Sequence, residues 1–323
     1  MEVIDRSVAK AIHHCLAKNY GIKGRLRRLS GENLNFLLTT KDEAKFVIKV
    51  VDEHMPVEVV KMETELLEHA KSAGFSLNLP YIHKNYKEKI ETGIKIRTND
   101  LYRLRVIGYI RGIELDKLSD ISIKLLKNTG KSLAAFDRAI EGFNHPVAHR
   151  NHRWNLAEAG QHVDKTSLVE NEIHRDNVAW AFDLWKEVKP LLGSLPHQVI
   201  HGDGNPENLL AEGDRIVGLV DFGDCCYAPR ICELAICLAY LMMDRDDPME
   251  AAGAVIDGYC SLIDLTEQEL GVLFALVCGR LAVTVCMASA RQQEDPENPT
   301  WFTSLAPALE LLAKLRAIGV SQA

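Results

Sequence analysis

Two short apolar runs in the second half of the chain each open into a polar turn. The first, 199–210, reads Val-Ile-His-Gly-Asp-Gly-Asn-Pro-Glu-Asn-Leu-Leu; the second, 218–224, reads Gly-Leu-Val-Asp-Phe-Gly-Asp. Between them they carry Asp203, then Asn208 in the same turn, then Asp221 at the head of Asp-Phe-Gly. One carboxylate can accept the proton of an attacking hydroxyl. An amide and a second carboxylate can hold Mg²⁺ on nucleotide phosphates, and these are the three things phosphoryl transfer asks of a protein. A lone Asp-Phe-Gly is common. Two interlocking patterns on adjacent expected strands are not, and their spacing is that of a phosphoryl-transfer site.

Such groups need a scaffold, and the order of elements indicates one. Residues 5–20 show helical spacing, after which 25–29, 34–39 and 44–51 are short β-type runs divided by polar turns. Gly31 in the first of these turns, with Asn35 just after it, reads either as a thin phosphate-covering loop or as a plain hairpin. In Phe46-Val47-Ile48-Lys49-Val50 the alternation puts Phe46, Ile48 and Val50 on one face, and Val47, Lys49 and Val51 on the other. A lysine inside an apolar strand either ends in solvent or reaches a phosphate. The helical pattern of 57–70 follows it. A glutamate there would pair with such a lysine to hold the α- and β-phosphates, with Glu63 the first choice and Glu65 the second, the alternative being solvated helix-face charges.

The β pattern continues through 79–83, 89–96 and 102–110. Gly108-Tyr109-Ile110-Arg111-Gly112 then reads as a hinge whose backbone groups, at Gly108, Tyr109 and Ile110, would meet a purine edge; an ordinary linker is compatible with the same residues. From Ser119 the pattern is mainly helical, over 120–141, 166–191, 229–244, 248–262, 266–290 and 305–318, interrupted by the two strand–turn units around 199 and 219. The expected architecture is α+β and bilobal. A β-rich nucleotide-binding lobe spans 1–107, the hinge 108–112, and a helical lobe 113–323 contains the catalytic loop 199–210 and the metal-binding turn 218–224.

Bulk properties agree with a globular enzyme. The 323 residues are 47% hydrophobic and 26% charged, enough for two lobes with a core. A net charge of −7 and a pI near 6.0 speak against nucleic acid or an anionic membrane as partner. The first residues show no basic region followed by an apolar run, so no secretory leader is expected. The apolar stretch 271–290 holds Arg280 near its middle and reads as a buried helix, not a membrane span. Eight scattered cysteines without secretory context point to reduced thiols in a cytoplasmic protein.

With these residues assembled, the chain resembles the aminoglycoside phosphotransferase and choline kinase superfamily, a small-molecule branch of the protein-kinase-like fold. Ser30 to Leu37, Val47-Ile48-Lys49, Glu63, the Gly108 to Gly112 run, His201 to Asn208 and Asp221 to Asp224 carry the resemblance. Within it, Arg153-Trp154-Asn155-Leu156, Glu233-Leu234-Ala235-Ile236, Gly279-Arg280-Leu281-Ala282 and Asn205 are similar to the hydroxylysine kinase group, although that group's pattern has Asp where this chain has Asn155. The resemblance implies ATP or GTP as co-substrate with Mg²⁺. It makes Asp203 the base, Asn208 and Asp221 the metal ligands, Lys49 the phosphate contact and His201 a structural residue. Asp224 is left as a substrate contact, a metal ligand or a cap for the next turn.

The acceptor is expected to be small. A protein kinase carries a long docking segment after Asp-Phe-Gly, whereas here Cys225-Cys226-Tyr227-Ala228-Pro229-Arg230 leads almost directly into a helix. From Asp203 to Asp247 there are ten acidic side chains against three arginines, which leans towards an ammonium-bearing alcohol. If that alcohol is an amino acid, Arg280 is a candidate for its carboxylate, or else pairs with a buried acid such as Glu233, which is itself a candidate substrate contact. Trp154 and Trp301 are either cation–π faces for an ammonium or ordinary core. His145, His149 and His152 are read as polar histidines without a metal. The preferred acceptor is 5-hydroxylysine or a similar hydroxy amino acid, with aminoglycoside, choline and homoserine as alternatives. A catalytically inactive, kinase-like binding protein is the alternative of a different class, against which the intact Lys49, Asp203, Asn208 and Asp221 set argues.

Overall fold

The computed structural model of the protein describes residues 5–29, 34–52, 56–96, 101–298 and 302–319. The chain divides into two compact units, one made of Met1–Leu67 and Leu79–Arg111, the other of Glu68–Asn78 and Gly112–Ala323. The boundary after Arg111 falls inside the run read as a hinge. The assignment of Glu68–Asn78 to the second unit has no counterpart in the sequence reading.

The first unit begins with α1 (Arg6–Asn19), whose start is capped by the Asp5 carboxylate accepting the Ser7 N–H at 2.7 Å. Strands β1 (Gly24–Arg28), β2 (Leu34–Thr40) and β3 (Lys45–Asp52) are followed by α2 (Val57–Ser72), β4 (Ile82–His83), β5 (Thr92–Lys95) and β6 (Leu101–Gly108). They form one antiparallel sheet in the order β1-β2-β3-β6-β4, with β5 also on β6. Phe36, Leu38, Ile48, Val50, Leu104 and Val106 pack against Val8, Ile12 and Leu16 of α1. Phe46 joins this core at its edge. The two-residue repeat therefore sends Lys49 to the opposite face, as the alternation predicts.

The second unit holds β7 (Ile113–Glu114), α3 (Ile123–Ala139), α4 (Glu172–Leu192), β8 (His197–Ile200), β9 (Leu209–Glu212), β10 (Arg215–Leu219), β11 (Cys226–Pro229), α5 (Ile231–Leu241), α6 (Pro248–Cys260), α7 (Glu267–Glu294) and α8 (Leu305–Ile318). Three helices start later than their spacing suggests, α3 where Ser122 caps it. A 3-10 segment, Leu156–Leu168, precedes α4, which begins only where Asn171 caps it. The start of α5 is delayed because Pro229 is the last residue of β11, paired with His197. α3 and α6 cross at glycines: a Cβ on Gly130 would overlap the Val255 carbonyl, and one on Gly258 the Lys127 carbonyl.

α7 is the core of this unit. Every residue from 275 to 289 is buried, against α4, α5 and α8 among others. It is long and apolar enough to cross a membrane by length and composition. Apolar all round, it is a helix buried in protein, and Arg280 sits at its centre. Its first turn is closed by a capping box between Thr266 and Glu269.

Candidate active site

The two chemistry-bearing turns are brought face to face by nested strand pairing. β9 and β10 form a hairpin around Gly213 (φ +57°), with Leu209 opposite Leu219. Outside it, β8 pairs with β11, Ile200 opposite Cys226. The loop from β8 to β9 carries Asp203 and Asn208, and the loop from β10 to β11 carries Asp221, so the two nested ladders align both. The Val220 N–H donates to Asn208 O at 3.0 Å, which sets Asp221 beside Asn208.

His201 ties the loops together from below. It is fully buried; its Nε2 lies 3.1 Å from Val220 O and its Nδ1 accepts the Asp203 N–H at 3.3 Å. Only the neutral tautomer with the proton on Nε2 satisfies both contacts. Its ring packs edge-on against Phe222 of Asp-Phe-Gly and against Phe136. Gly202 (φ +76°) passes so close to the other loop that a Cβ would lie 2.8 Å from Asp224 O. The Gly202 N–H donates to Glu233 Oε2 at 3.0 Å. Glu233 therefore corrects the reading as substrate contact or Arg280 partner: it is fully buried and holds the backbone of the loop. Burial raises its pKa, opposed by the loop N–H groups of Gly202 and His201 and by Arg280.

Asp203 is held through both carboxylate oxygens. Oδ1 accepts from Asn205 Nδ2 at 2.9 Å and from Arg280 Nη2 at 3.3 Å; Oδ2 accepts from Asn208 Nδ2 at 2.8 Å. Burial pushes its pKa up to about 6, against the pull of Arg280 and with the help of Asp224 and Asp221. The Asn208 amide nitrogen also donates to Asp203 O at 2.9 Å, so its carbonyl oxygen faces away from these partners. An amide oxygen and the Asp221 carboxylate are hard donors of the kind Mg²⁺ takes. No cluster of three His, Cys, Asp or Glu side chains suited to a metal occurs among the described residues. Mg²⁺ carried mainly by nucleotide phosphates needs only one or two protein ligands, so the pair fits it.

Asp221 has φ +64° and ψ +76°, a left-handed backbone that costs a non-glycine residue roughly 1–2 kcal/mol. Asp224 caps no turn; its carboxylate lies 3.2 Å from His152 Nε2. Arg150 donates to Gly223 O at 2.9 Å and to Cys225 O at 2.8 Å, bracing the same loop. Sequence reading missed Arg150 and His152 as supports, because they lie in an irregular polar segment more than 70 residues upstream of their partners. His145 caps Val147, and His149 reaches Asn144 and stacks near Tyr227.

Arg280 is 2% exposed and does not meet Glu233 by hydrogen bond. Besides Asp203, its guanidinium donates to Tyr240 OH at 3.2 Å and to Trp154 O at 3.4 Å, between the rings of Trp154 and Tyr240 at 5.0 and 5.3 Å. Burial works against its charge, but Tyr240, Asp203 and Asp224 hold its pKa above the ordinary value. The cations facing Trp154 are the protein's own: Arg153, Arg280 and Arg291 all lie within 6 Å of its ring. Asn155 caps the 3-10 segment through Ala157 N–H. Trp301 lies outside the described residues. The acidic excess also thins out around the site. Asp214 binds Ser122 and Lys124, Asp247 caps α6, and Glu233 is sealed in the core.

In the first unit, β2, β3 and β6 set Asn35, Lys49 and Arg105 directly opposite one another, hence on one face. The partner expected for Lys49 proves to be Arg105's: Glu63 Oε2 lies 2.7 Å from Arg105 Nη1, with both side chains buried. Arg105, one strand over, reaches the carboxylate that α2 presents to this face. Glu65 is exposed. Gly108 is the last residue of β6 and donates its N–H to Tyr81 O at 2.8 Å. Tyr109 is exposed beneath Lys45, and Ile110 is half-buried. Gly31 lies outside the described residues.

Comparison with known proteins identifies the lineage. The profile of the phosphotransferase enzyme family matches residues 25–273, well over half of the chain. The chain belongs to that family. Hydroxylysine kinase of Mus musculus is 28% identical over 284 residues, covering 82% of this chain and 74% of the relative. Homoserine kinase of Zymomonas mobilis is 26% identical over 269 residues, covering 80% of each. A microcompartment-associated aminopropanol kinase superposes with a TM-score of 0.73 at 15% identity, over 96% of this chain and 98% of the other. The fold is thus the α+β, kinase-like one expected, and this phosphotransferase is a small-molecule kinase acting on a hydroxyl acceptor.

Proposed function

We propose that this phosphotransferase moves the γ-phosphate of ATP or GTP, with Mg²⁺, to the hydroxyl of a small hydroxy amino acid such as 5-hydroxylysine. The observation that carries the reading is the nested pairing of β8–β11 and β9–β10, which brings Asp203, Asn208 and Asp221 to one place. Asp203 is the base. Its burial brings its pKa near the working range of a proton acceptor, and three donors fix its orientation. Asn208, through its oxygen, and Asp221 would hold Mg²⁺, which supplies positive charge to the phosphate oxygens as they are transferred. Lys49 is the phosphate contact of the first unit, with Asn35 opposite it on β2 and the Gly108–Ile110 backbone for the purine.

Two observations favour an amino acid over choline or an aminoglycoside. The relatives named hydroxylysine kinase and homoserine kinase cover most of this chain. Arg153, Arg280 and Arg291 around Trp154 also make the Arg280 side of Asp203 cationic, which suits an acceptor with a carboxylate as well as an ammonium.

The test is a panel of 5-hydroxylysine, homoserine, choline and an aminoglycoside with ATP or GTP and Mg²⁺, following ADP or GDP. Turnover with a hydroxy amino acid is expected, and Asp203→Asn should still bind Mg²⁺–nucleotide while kcat falls by about 10²–10⁴. No release above the acceptor-free control across the panel would favour the inactive binding protein. Turnover confined to choline or the aminoglycoside would refute the amino-acid reading.

A further inference from the structure

We infer that Arg280 is a positioning residue that chooses which oxygen of Asp203 receives the acceptor's proton. This rests on the assignment of Asp203 as base in the proposed function. A carboxylate oxygen has two lone pairs to offer. Oδ1 of Asp203 already accepts two donors, Asn205 Nδ2 at 2.9 Å and Arg280 Nη2 at 3.3 Å. Oδ2 accepts one, Asn208 Nδ2 at 2.8 Å. The vacant lone pair is therefore on Oδ2, the oxygen next to the amide assigned to the metal. A hydroxyl that donates there is held between the base and the Asn208 side of the site. As its oxygen bonds to the γ-phosphorus, its proton passes to Oδ2. The bond from that phosphorus to the bridging oxygen breaks, and the electron pair leaves with the nucleoside diphosphate.

The build of the Arg280 site supports a steering role over a substrate-binding one. Its side chain is 2% exposed, against 22% for Asp203, so an acceptor can reach the carboxylate but not the guanidinium. It projects from the stretch of α7 in which every residue is buried. Trp154 and Tyr240 close on both sides of it, and Tyr240 OH lies 3.3 Å from Thr284 Oγ1, one turn along the same helix. A guanidinium so confined has few other orientations. It is also under-used as a structural pair: its Nε is buried with no hydrogen-bond partner, and its single carboxylate contact is the monodentate one to Asp203. A buried arginine kept for stability alone would be better served by a bidentate acid. Here the carboxylate it meets, among the described residues, is the base.

The experiment uses the full chain with the best acceptor of the panel and compares Arg280→Gln, Arg280→Lys and Tyr240→Phe. Each is measured for kcat, both KM values, Mg²⁺–nucleotide affinity and urea unfolding. Arg280→Gln should lose on the order of 100-fold in kcat, with both KM values and nucleotide affinity within about threefold. Arg280→Lys should recover part of that loss by offering one cationic donor to Oδ1. Tyr240→Phe, which frees one side of the guanidinium, should slow kcat about fivefold.

A folded Arg280→Gln enzyme with kcat within about twofold of the parent would overturn the inference. So would a rise of more than about tenfold in acceptor KM at unchanged kcat, which would make Arg280 an acceptor anchor. If Arg280→Gln does not fold, Tyr240→Phe decides: a lower kcat at constant KM supports the role, and an unchanged kcat removes it. Should Asp203→Asn itself keep turnover, the base assignment fails. Should it lose turnover while Arg280→Gln does not, only the steering role fails.

Discussion

Gly202→Ala isolates how much the site depends on the close passage of its two loops. Gly202 has φ +76°, and an alanine Cβ would stand 2.8 Å from the Asp224 carbonyl, a backbone atom that cannot swing aside. Gly213, in the β9–β10 turn, has φ +57° with nothing within 4 Å of its Cβ position. The left-handed backbone costs alanine about 1–2 kcal/mol at either site, and the stiffer unfolded chain returns about 0.4–1 kcal/mol. Gly213→Ala should therefore destabilise by about 0–1.5 kcal/mol. Gly202→Ala carries the same strain plus overpacking of about 1–3 kcal/mol, so the two should differ by that amount in urea unfolding. Relief of the clash has to move the backbone on one side of Asp203, and displacement of reacting groups is costly in rate: kcat should fall tenfold or more, on the order of the loss expected from a sub-ångström misplacement. Gly213→Ala should keep near-parental kcat. Equal stability and equal kcat for the two variants would refute the close packing of the loops as the element that positions Asp203.

Two further outcomes follow from burial. With its pKa pushed up to about 6, Asp203 is protonated and idle as a base in more acidic solution, so kcat/KM should fall about tenfold per pH unit below that point. The acid limb should move to lower pH as Mg²⁺ is raised, because a nearby cation favours the carboxylate; a flat profile between pH 5 and 8 would refute the assignment. Of the eight cysteines, all but Cys260 are buried, and burial pushes the thiols of Cys226, Cys278 and Cys286 up to about 12. An aromatic disulfide reagent at pH 8 should titrate about one thiol quickly and the others only on unfolding, and several fast thiols would contradict the packing of α5 and α7.

The groups assigned to the chemistry were legible in the sequence because they lie close along the chain. His201, Asp203 and Asn208 share one turn between two apolar runs, and any fold that makes those runs strands delivers them together. The alternation in β3 likewise settled which face Lys49 takes, and Arg280 inside an apolar stretch marked α7 as a helix with a buried charge. The partners of these charges were decided only by tertiary structure. Glu63 meets Arg105, 42 residues away, and Arg280 meets Asp203, 77 residues away. Strand register and the rotation of a helix about its axis select among such partners, and both are set by packing across the whole unit. Spacing carries no trace of them. The acidic excess from Asp203 to Asp247 shows the same limit: composition counts charges, but the fold sends Glu233 inward to a backbone N–H and Asp247 to a helix cap, and leaves Asp203 facing an arginine.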